Sequence, residues 1–398
     1  MTAGWDYRTF EQALSTVIAS SVAVGRSEKI PLDEAEGRVL AADVAAVADV
    51  PPWNRSAVDG YAVRSEDTSE GGETVLKIVG EVRAGTFFRG RIGKGECVRI
   101  STGAPLPDGA NAAVMHERTA EDGDRVTIPF AVSKGEEVSL RGVDIRKGRR
   151  VAAGGTVITP GVIGAIASQG RGSVTVRKKP VIAVIPGGDE IAPVGSRAGR
   201  SQVYDVNSHT IAAVVSKSGG RAVIMKRVPD FREDVKKALR SALKYDAAVF
   251  SSGSSAGQRD FVAGLIREEG KLLFHGIRVR PGRPTMFGIV SGKPVFGLAG
   301  HPVSAFLGAL YLLGPCVRKM AGLPQREPRS AELAYEGEEE GRRGMMQLLP
   351  VSVTGGRCRG VFKESGAITS ISMADGIVRI PSDHVLKHGD VVRVELFD

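Results

Sequence analysis

The chain has 398 residues, 42% of them hydrophobic and 25% charged, enough for several packed cores, and an aromatic share of 5% suggests small-residue packing with many turns. The formal net charge of +9 comes from Lys and Arg spread along the chain and not interleaved with stacking aromatics, which argues against a nucleic-acid partner and for a small polyanionic ligand. No segment reaches the roughly 18 uninterrupted apolar residues of a membrane span and no early run has a secretory pattern, so a soluble, cytoplasmic protein is expected.

Thr9 with Gln12 forms a possible capping box, and Phe10, Leu14, Val17, Ile18 and Val22 recur at helical spacing, so the chain opens with an amphipathic helix. The turn Pro51-Pro52-Trp53-Asn54-Arg55-Ser56-Ala57-Val58-Asp59-Gly60-Tyr61-Ala62 follows; its prolines restrict the approach and Gly60 frees the backbone behind Asp59, so a lone carboxylate is displayed, either as a functional acid or as a plain surface turn. Residues 46–140 read as an inserted β-rich module of short β-prone runs between glycine turns, with Thr102 on a tight turn of its own. The segment 142–148, containing Asp144, closes that module, and residues 1–45 with 141–178 are read as one split helical and linker unit.

Between 179 and 325 the pattern becomes strand, glycine loop, helix, repeated, which predicts a parallel α/β domain; 326–398 is predicted as a small C-terminal β domain. Cys97, Cys316 and Cys358 are odd in number and far apart, offer no zinc spacing, and are read as structural thiols. Asn54-Arg55-Ser56 matches a glycosylation acceptor by chance.

In an open parallel sheet, ligands gather beyond the carboxyl ends of the strands. Three loops qualify. Gly187-Gly188-Asp189-Glu190 suits close backbone approach with a hard divalent cation nearby. Ser252-Gly253-Ser254 leads into a helix carrying Asp260 and offers amides and hydroxyls to a phosphate, with plain helix capping as the competing explanation for the acid. Gly300-His301-Pro302-Val303-Ser304 feeds another helix through a proline suited to its first position. Arg280 and Arg283 bracket a stiff Pro281-Gly282 turn before Pro284, and guanidinium forks match tetrahedral oxyanions; a solvated basic turn is the alternative. Asp205 precedes a helix-like run and either caps it or faces the same cleft, and no Walker A loop is present.

Taken in order, these segments resemble the molybdopterin molybdenumtransferase family, the MoeA proteins and the related domain of gephyrin. The motifs are Ser-Ala-x-Asp-Gly-Tyr-Ala at 56–62, Thr-Gly-Ala-Pro at 102–105, Gly-x-Asp-Ile-Arg at 142–146, Gly-Asp-Glu at 188–190, Tyr-Asp-x-Asn at 204–207, Pro-Gly-x-Pro at 281–284 and Gly-x-Pro-Val-Ser-Ala at 300–305. The resemblance implies a multidomain α/β plus β fold: a parallel α/β molybdopterin-binding domain, the inserted β-rich module, the split unit and a C-terminal β-barrel-like domain, assembled as a homodimer. It implies insertion of molybdate or tungstate into adenylylated molybdopterin with Mg²⁺ dependence and release of AMP, and a molybdopterin adenylyltransferase as pathway partner. The family's acids map onto Asp59, Asp144, Glu190, Asp205 and Asp260, its threonine onto Thr102 and its loop prolines onto Pro284 and Pro302. Mg²⁺ is then assigned to some of Asp189, Glu190, Asp205 and Asp260, the phosphates to the loops at 186–190 and 251–260, and the oxyanion to Arg280, Arg283 and amides near Ser304.

The chain departs from the family at Arg283, where Lys is usual, and at Ala299 and His301, where Pro and Asn are usual. Gly187 replaces a Thr, Ser254 a Gly, and Asn54-Arg55 an Asp-Asn pair. These changes bear on substrate geometry, including molybdate against tungstate. A non-catalytic pterin-binding scaffold and a molybdopterin adenylyltransferase are the alternative readings; the retained carboxylates and the extra β modules weigh against them.

Overall fold

The computed structural model describes residues 6–69, 72–252 and 256–397, with the side chains of residues 252–260 outside that description. The chain divides into two compact units, Met1–Glu28 with Gly37–Val39 and Val176–Asp398, and Lys29–Glu36 with Leu40–Thr175.

In the second unit, six strands lie in the order Ala112–Met115, Gly60–Val63, Glu96–Ile100, Thr74–Val82, Arg125–Ile128, Ala120–Asp122. Alternation along each strand covers both faces: Tyr61, Val63, Cys97 and Val114 enter one core, while Ala62, Val82, Val98 and Ile100 enter another. Gly60 is required by close approach, since a Cβ there would meet the Val114 carbonyl oxygen at 1.8 Å. Val44–Ala45 pairs antiparallel with Arg150–Ala152, and the helix Pro160–Ala167 starts from Thr159, whose hydroxyl accepts from the Val162 amide, with Pro160 at its first position.

In the first unit, the opening helix spans Phe10–Ala19 and has the reciprocal Thr9–Gln12 capping box; it stops short of Val22, which is 77% exposed. An α/β sheet runs in the order Arg221–Ile224, Val181–Gly187, Ala247–Ser252, Lys293–Leu298, Met286–Val290, Gly270–His275. The first four strands are parallel and the last two antiparallel. Helices cover both faces: Phe10, Val17, Ile211, Val215 and Leu312 pack on one, Val235, Leu239, Val262 and Ile266 on the other. The helical run after Lys293–Leu298 begins at Pro302–Gly308, passes through a π turn at Ala309–Leu313 and ends at Gly314–Ala321.

The C-terminal strands Met346–Thr354, Arg357–Gly360, Ser330–Glu336, Val391–Leu396 and Gly376–Ile380 close on themselves, because Met346–Thr354 pairs with both Arg357–Gly360 and Gly376–Ile380. This five-stranded barrel removes its own free edges. A sixth short strand, Val279–Arg280, leaves the α/β sheet and pairs in parallel with Met346 and Gln347, so an arginine of the α/β domain is held in register by the barrel.

Candidate functional site

The arginine turn gains its geometry from that pairing. Arg280 is fixed by strand register, Pro281 and Gly282 are buried, and the Thr285 amide and hydroxyl both donate to the Gly282 carbonyl, at 3.1 and 2.8 Å. Gly282 has φ +115°, a backbone region that favours glycine. The turn forms one wall of a cleft of about 260 Å³, lined with Arg280, Arg283, Pro284, Gly300, His301 and Ser304 and also with Met345 and Ser365 from the barrel region. Arg280, Pro281, Arg283 and Met345 continue into a larger hollow of about 820 Å³ whose far side carries Arg342, Arg343 and Glu338 to Glu340. Partial burial and the like charge of Arg342 hold the Arg280 guanidinium below its ordinary range. An anion placed in the cleft would offset that like charge.

Ser304 is buried in the first turn of the helix that starts at Pro302. The Val303 amide donates to the Ser365 carbonyl at 3.1 Å, tying this helix start to the barrel region. His301 is exposed at the N-cap and makes no side-chain capping bond. Asn207 Nδ2 donates to the Gly300 carbonyl at 2.7 Å, while its buried Oδ1 has no hydrogen-bond partner among the described residues.

The carboxylates of this unit have distinct local roles. Asp205 is 8% exposed and caps the helix Val206–Lys217, its Oδ1 accepting from the Ser208 amide at 3.0 Å. Asp189 pairs with Arg227 at 2.7 Å, and Arg227 also donates to the Gly188 carbonyl at 3.0 Å. Glu190 folds back over Gly188, which has φ +119° and whose missing Cβ would lie 2.5 Å from Glu190 Oε2. Ile191–Ala192 pairs in parallel with Val203–Tyr204; the Val203 amide donates to the Glu190 carbonyl at 2.8 Å and the Asp205 amide to the Ala192 carbonyl at 2.9 Å, so the two acids flank opposite ends of this short ladder. Gly187 is paired with Ser252 at the ends of neighbouring strands. Gly253, Ser254 and the Ser252 and Asp260 side chains lie outside the described residues.

Among the described residues no group of three or more His, Cys, Asp or Glu side chains converges. Mg²⁺ ordinarily takes one or two carboxylates and completes its shell with water and phosphate oxygens. Glu190 and Asp205, oxygen-only donors flanking the same short strand pair, suit such a partial shell by chemistry; Asp189 is already engaged by Arg227.

In the other unit, the Thr102 amide donates to Asp59 Oδ1 at 2.8 Å and its hydroxyl donates to Asp59 Oδ2 at 2.9 Å. These two bonds, the amide's first, hold the exposed Asp59 carboxyl below its usual range. Asp144 is exposed on a depression of about 420 Å³ with Arg146, Arg149 and Arg150. Asp59 and Thr102 are therefore brought together, and Asp144 lies among arginines at a depression that Asp59 does not line.

Sequence reasoning missed Met345, Ser365, Arg342 and Arg343 as lining residues. They come from a polar stretch and a loop with no motif of their own, and only closure of the barrel delivers them to the turn at 280–284.

Comparison with known proteins gives one answer along the chain. Residues 8–170 match the MoeA N-terminal region (domain I and II), residues 183–319 a probable molybdopterin binding domain, and residues 339–397 the MoeA C-terminal region (domain IV). A molybdopterin molybdenumtransferase of Staphylococcus aureus (strain COL) is 31% identical over 362 residues, covering 88% of this chain and 86% of that protein. One from Staphylococcus epidermidis (strain ATCC 12228 / FDA PCI 1200) is 29% identical over 397 residues, 97% of this chain and 94% of the relative. The crystal structure of a molybdopterin biosynthesis protein, moeA, from Pyrococcus horikosii superposes with a TM-score of 0.86 at 34% identity, covering 99% of this chain and 100% of that one.

Proposed function

We infer that this chain, which belongs to the MoeA family and is a transferase of molybdenum cofactor biosynthesis, inserts molybdate or tungstate into adenylylated molybdopterin and releases AMP. The observation that supports this reading best is the cleft in which Arg280, Arg283 and Ser304 face one another and whose Arg280 carries an unfavourable positive environment. Two guanidinium groups and a helix start suit a tetrahedral dianion, and the adjoining 820 Å³ hollow is of ordinary size for a nucleotide-bearing ligand.

In this reading Arg280 and Arg283 bind and orient the oxyanion, with the amides around Gly300 and Ser304 as further donors, so that molybdenum is presented to the dithiolene sulfurs in a fixed geometry. Glu190 and Asp205 would hold Mg²⁺, and the cation would supply neutralisation of phosphate charge when the phosphoanhydride is cleaved by an attacking oxygen with AMP as leaving group. Asp260 and Asp189 are proposed as further acids of this site, Gly187, Gly188 and the 252–254 loop as the phosphate cradle, and Pro284 and Pro302 as rigid framing. Asp59, Thr102 and Asp144 are proposed to serve the same reaction, in a cytoplasmic homodimer that receives its pterin from an adenylyltransferase.

The test is incubation of the purified full chain with adenylylated molybdopterin, Mg²⁺ and molybdate. AMP release with molybdenum retained on the pterin is expected, and Glu190→Ala or Asp59→Ala should abolish both while leaving the fold intact. Full activity in either purified variant would remove that acid from the mechanism, and no AMP from the unsubstituted protein would overturn the reading.

A further inference from the structure

Tyr7 belongs to none of the motifs that point to the cleft, yet it rests on one of the cleft's two arginines. The N-terminal segment runs beside residues 275–278. The Arg8 amide donates to the Gly276 carbonyl at 3.1 Å, the Arg278 amide donates to the Arg8 carbonyl at 2.8 Å, and Arg8 bridges Ile277 in parallel. The Ile277 amide in turn donates to the Arg283 carbonyl at 2.9 Å, so the added segment lies against the base of the arginine turn. Arg283 Nε donates to Tyr7 Oη at 2.9 Å, a terminal nitrogen of the same guanidinium donates to that oxygen too, and Arg283 Cζ stands 5.1 Å from the centroid of the Tyr7 ring.

We infer that Tyr7 is a positioning residue for Arg283, and through it sets the affinity of the cleft for its tetrahedral oxyanion. The inference rests on the reading above that Arg283 binds that oxyanion. A guanidinium on a long, exposed stem loses rotamer freedom when it grips a ligand; a phenol oxygen that accepts two donors from one edge of its plane removes part of that freedom in advance. The arrangement is specific to arginine. A lysine ammonium lacks the planar edge that meets one oxygen with two donors, so at position 283 the two cations are not equivalent.

The experiment uses the full chain with adenylylated molybdopterin and Mg²⁺, titrating molybdate and reading AMP release, in Tyr7→Phe, Tyr7→Ala, Arg283→Ala and the two double variants. Tyr7→Phe keeps the ring and deletes the acceptor; Tyr7→Ala deletes both. A rise of about three- to tenfold in the molybdate concentration for half-maximal rate is expected in Tyr7→Ala, and a rise of the same kind in Tyr7→Phe, with kcat, the pterin KM and the melting temperature unchanged. The rise must vanish in the Arg283→Ala background, because both changes then act on one interaction. If Arg283→Ala weakens molybdate binding while neither Tyr7 variant does, the inference is wrong and the oxyanion reading stands. If Arg283→Ala leaves molybdate dependence unchanged, the oxyanion reading itself falls. A Tyr7 effect that persists without Arg283, or that moves the melting temperature and pterin KM equally, makes Tyr7 a strand anchor and also overturns the inference.

Discussion

Thr102 supplies a donor to each oxygen of Asp59, from its amide at 2.8 Å and from its hydroxyl at 2.9 Å. Both bonds favour the ionised carboxyl, so its folded-state pKa lies below its ordinary value. A depressed carboxyl stabilises the fold above its ordinary range and loses that contribution as pH falls through the lowered value. Thr102→Ala removes the hydroxyl and keeps the amide. The Asp59 titration midpoint, followed by carboxyl NMR, should rise toward the ordinary range, and the acid limb of AMP release should move to higher pH with it. An unchanged midpoint would show that the hydroxyl does not tune this acid.

Asp205 combines two duties that substitution separates. Its Oδ1 caps the helix Val206–Lys217, and its charge is proposed to serve Mg²⁺. Asn caps nearly as well as Asp, whereas Ala does not, at a cost of about 1 kcal/mol. Asp205→Asn should therefore unfold in urea near the parent midpoint but lose AMP release; Asp205→Ala should lose both. Full activity in Asp205→Asn would leave the residue as a cap alone.

The parts of the fold written in local chemistry were readable before any coordinates. The Thr9–Gln12 box, the Pro302 helix start and the strand-loop-helix alternation depend on residues a few positions apart, and each is present. Val22 misled because its spacing continues a helix that Ser20 already caps. The pairing of Val279–Arg280 with Met346–Gln347 spans more than sixty positions and leaves no periodicity, so the arginine turn was recognisable while its barrel wall was not. Tyr7 is invisible for the same reason: its partner Arg283 lies 276 positions away.

The three cysteines are buried and free. Burial pushes the Cys97 and Cys316 thiols up to about 12 and raises Cys358 in the same direction. Thiolate, the reactive form, is therefore suppressed in each. Iodoacetamide at neutral pH should leave the native protein unmodified and label all three sites in urea, by intact mass. Rapid labelling of one site in the native protein would place that thiol in an opening segment.

Arg379 joins three parts of its unit at one point. Its Cζ stands 4.6 Å from the Phe10 ring centroid and 5.1 Å from that of Tyr311. Its Nε lies 2.7 Å from Glu395, and Tyr311 Oη donates to the same carboxylate at 2.7 Å. Phe10 comes from the opening helix, Tyr311 from the π turn, and Arg379 and Glu395 from the barrel. Breaking a fully buried pair by truncation costs about 3–5 kcal/mol; the Arg379 side chain retains 30% exposure and Glu395 14%, so Arg379→Ala should cost about 2–3 kcal/mol. Tyr311→Phe removes one hydrogen bond and keeps the ring, for about 1 kcal/mol. Because both act on Glu395, the double variant should lose less than the sum in urea unfolding. Additive losses would mean that Arg379 and Tyr311 hold the barrel independently.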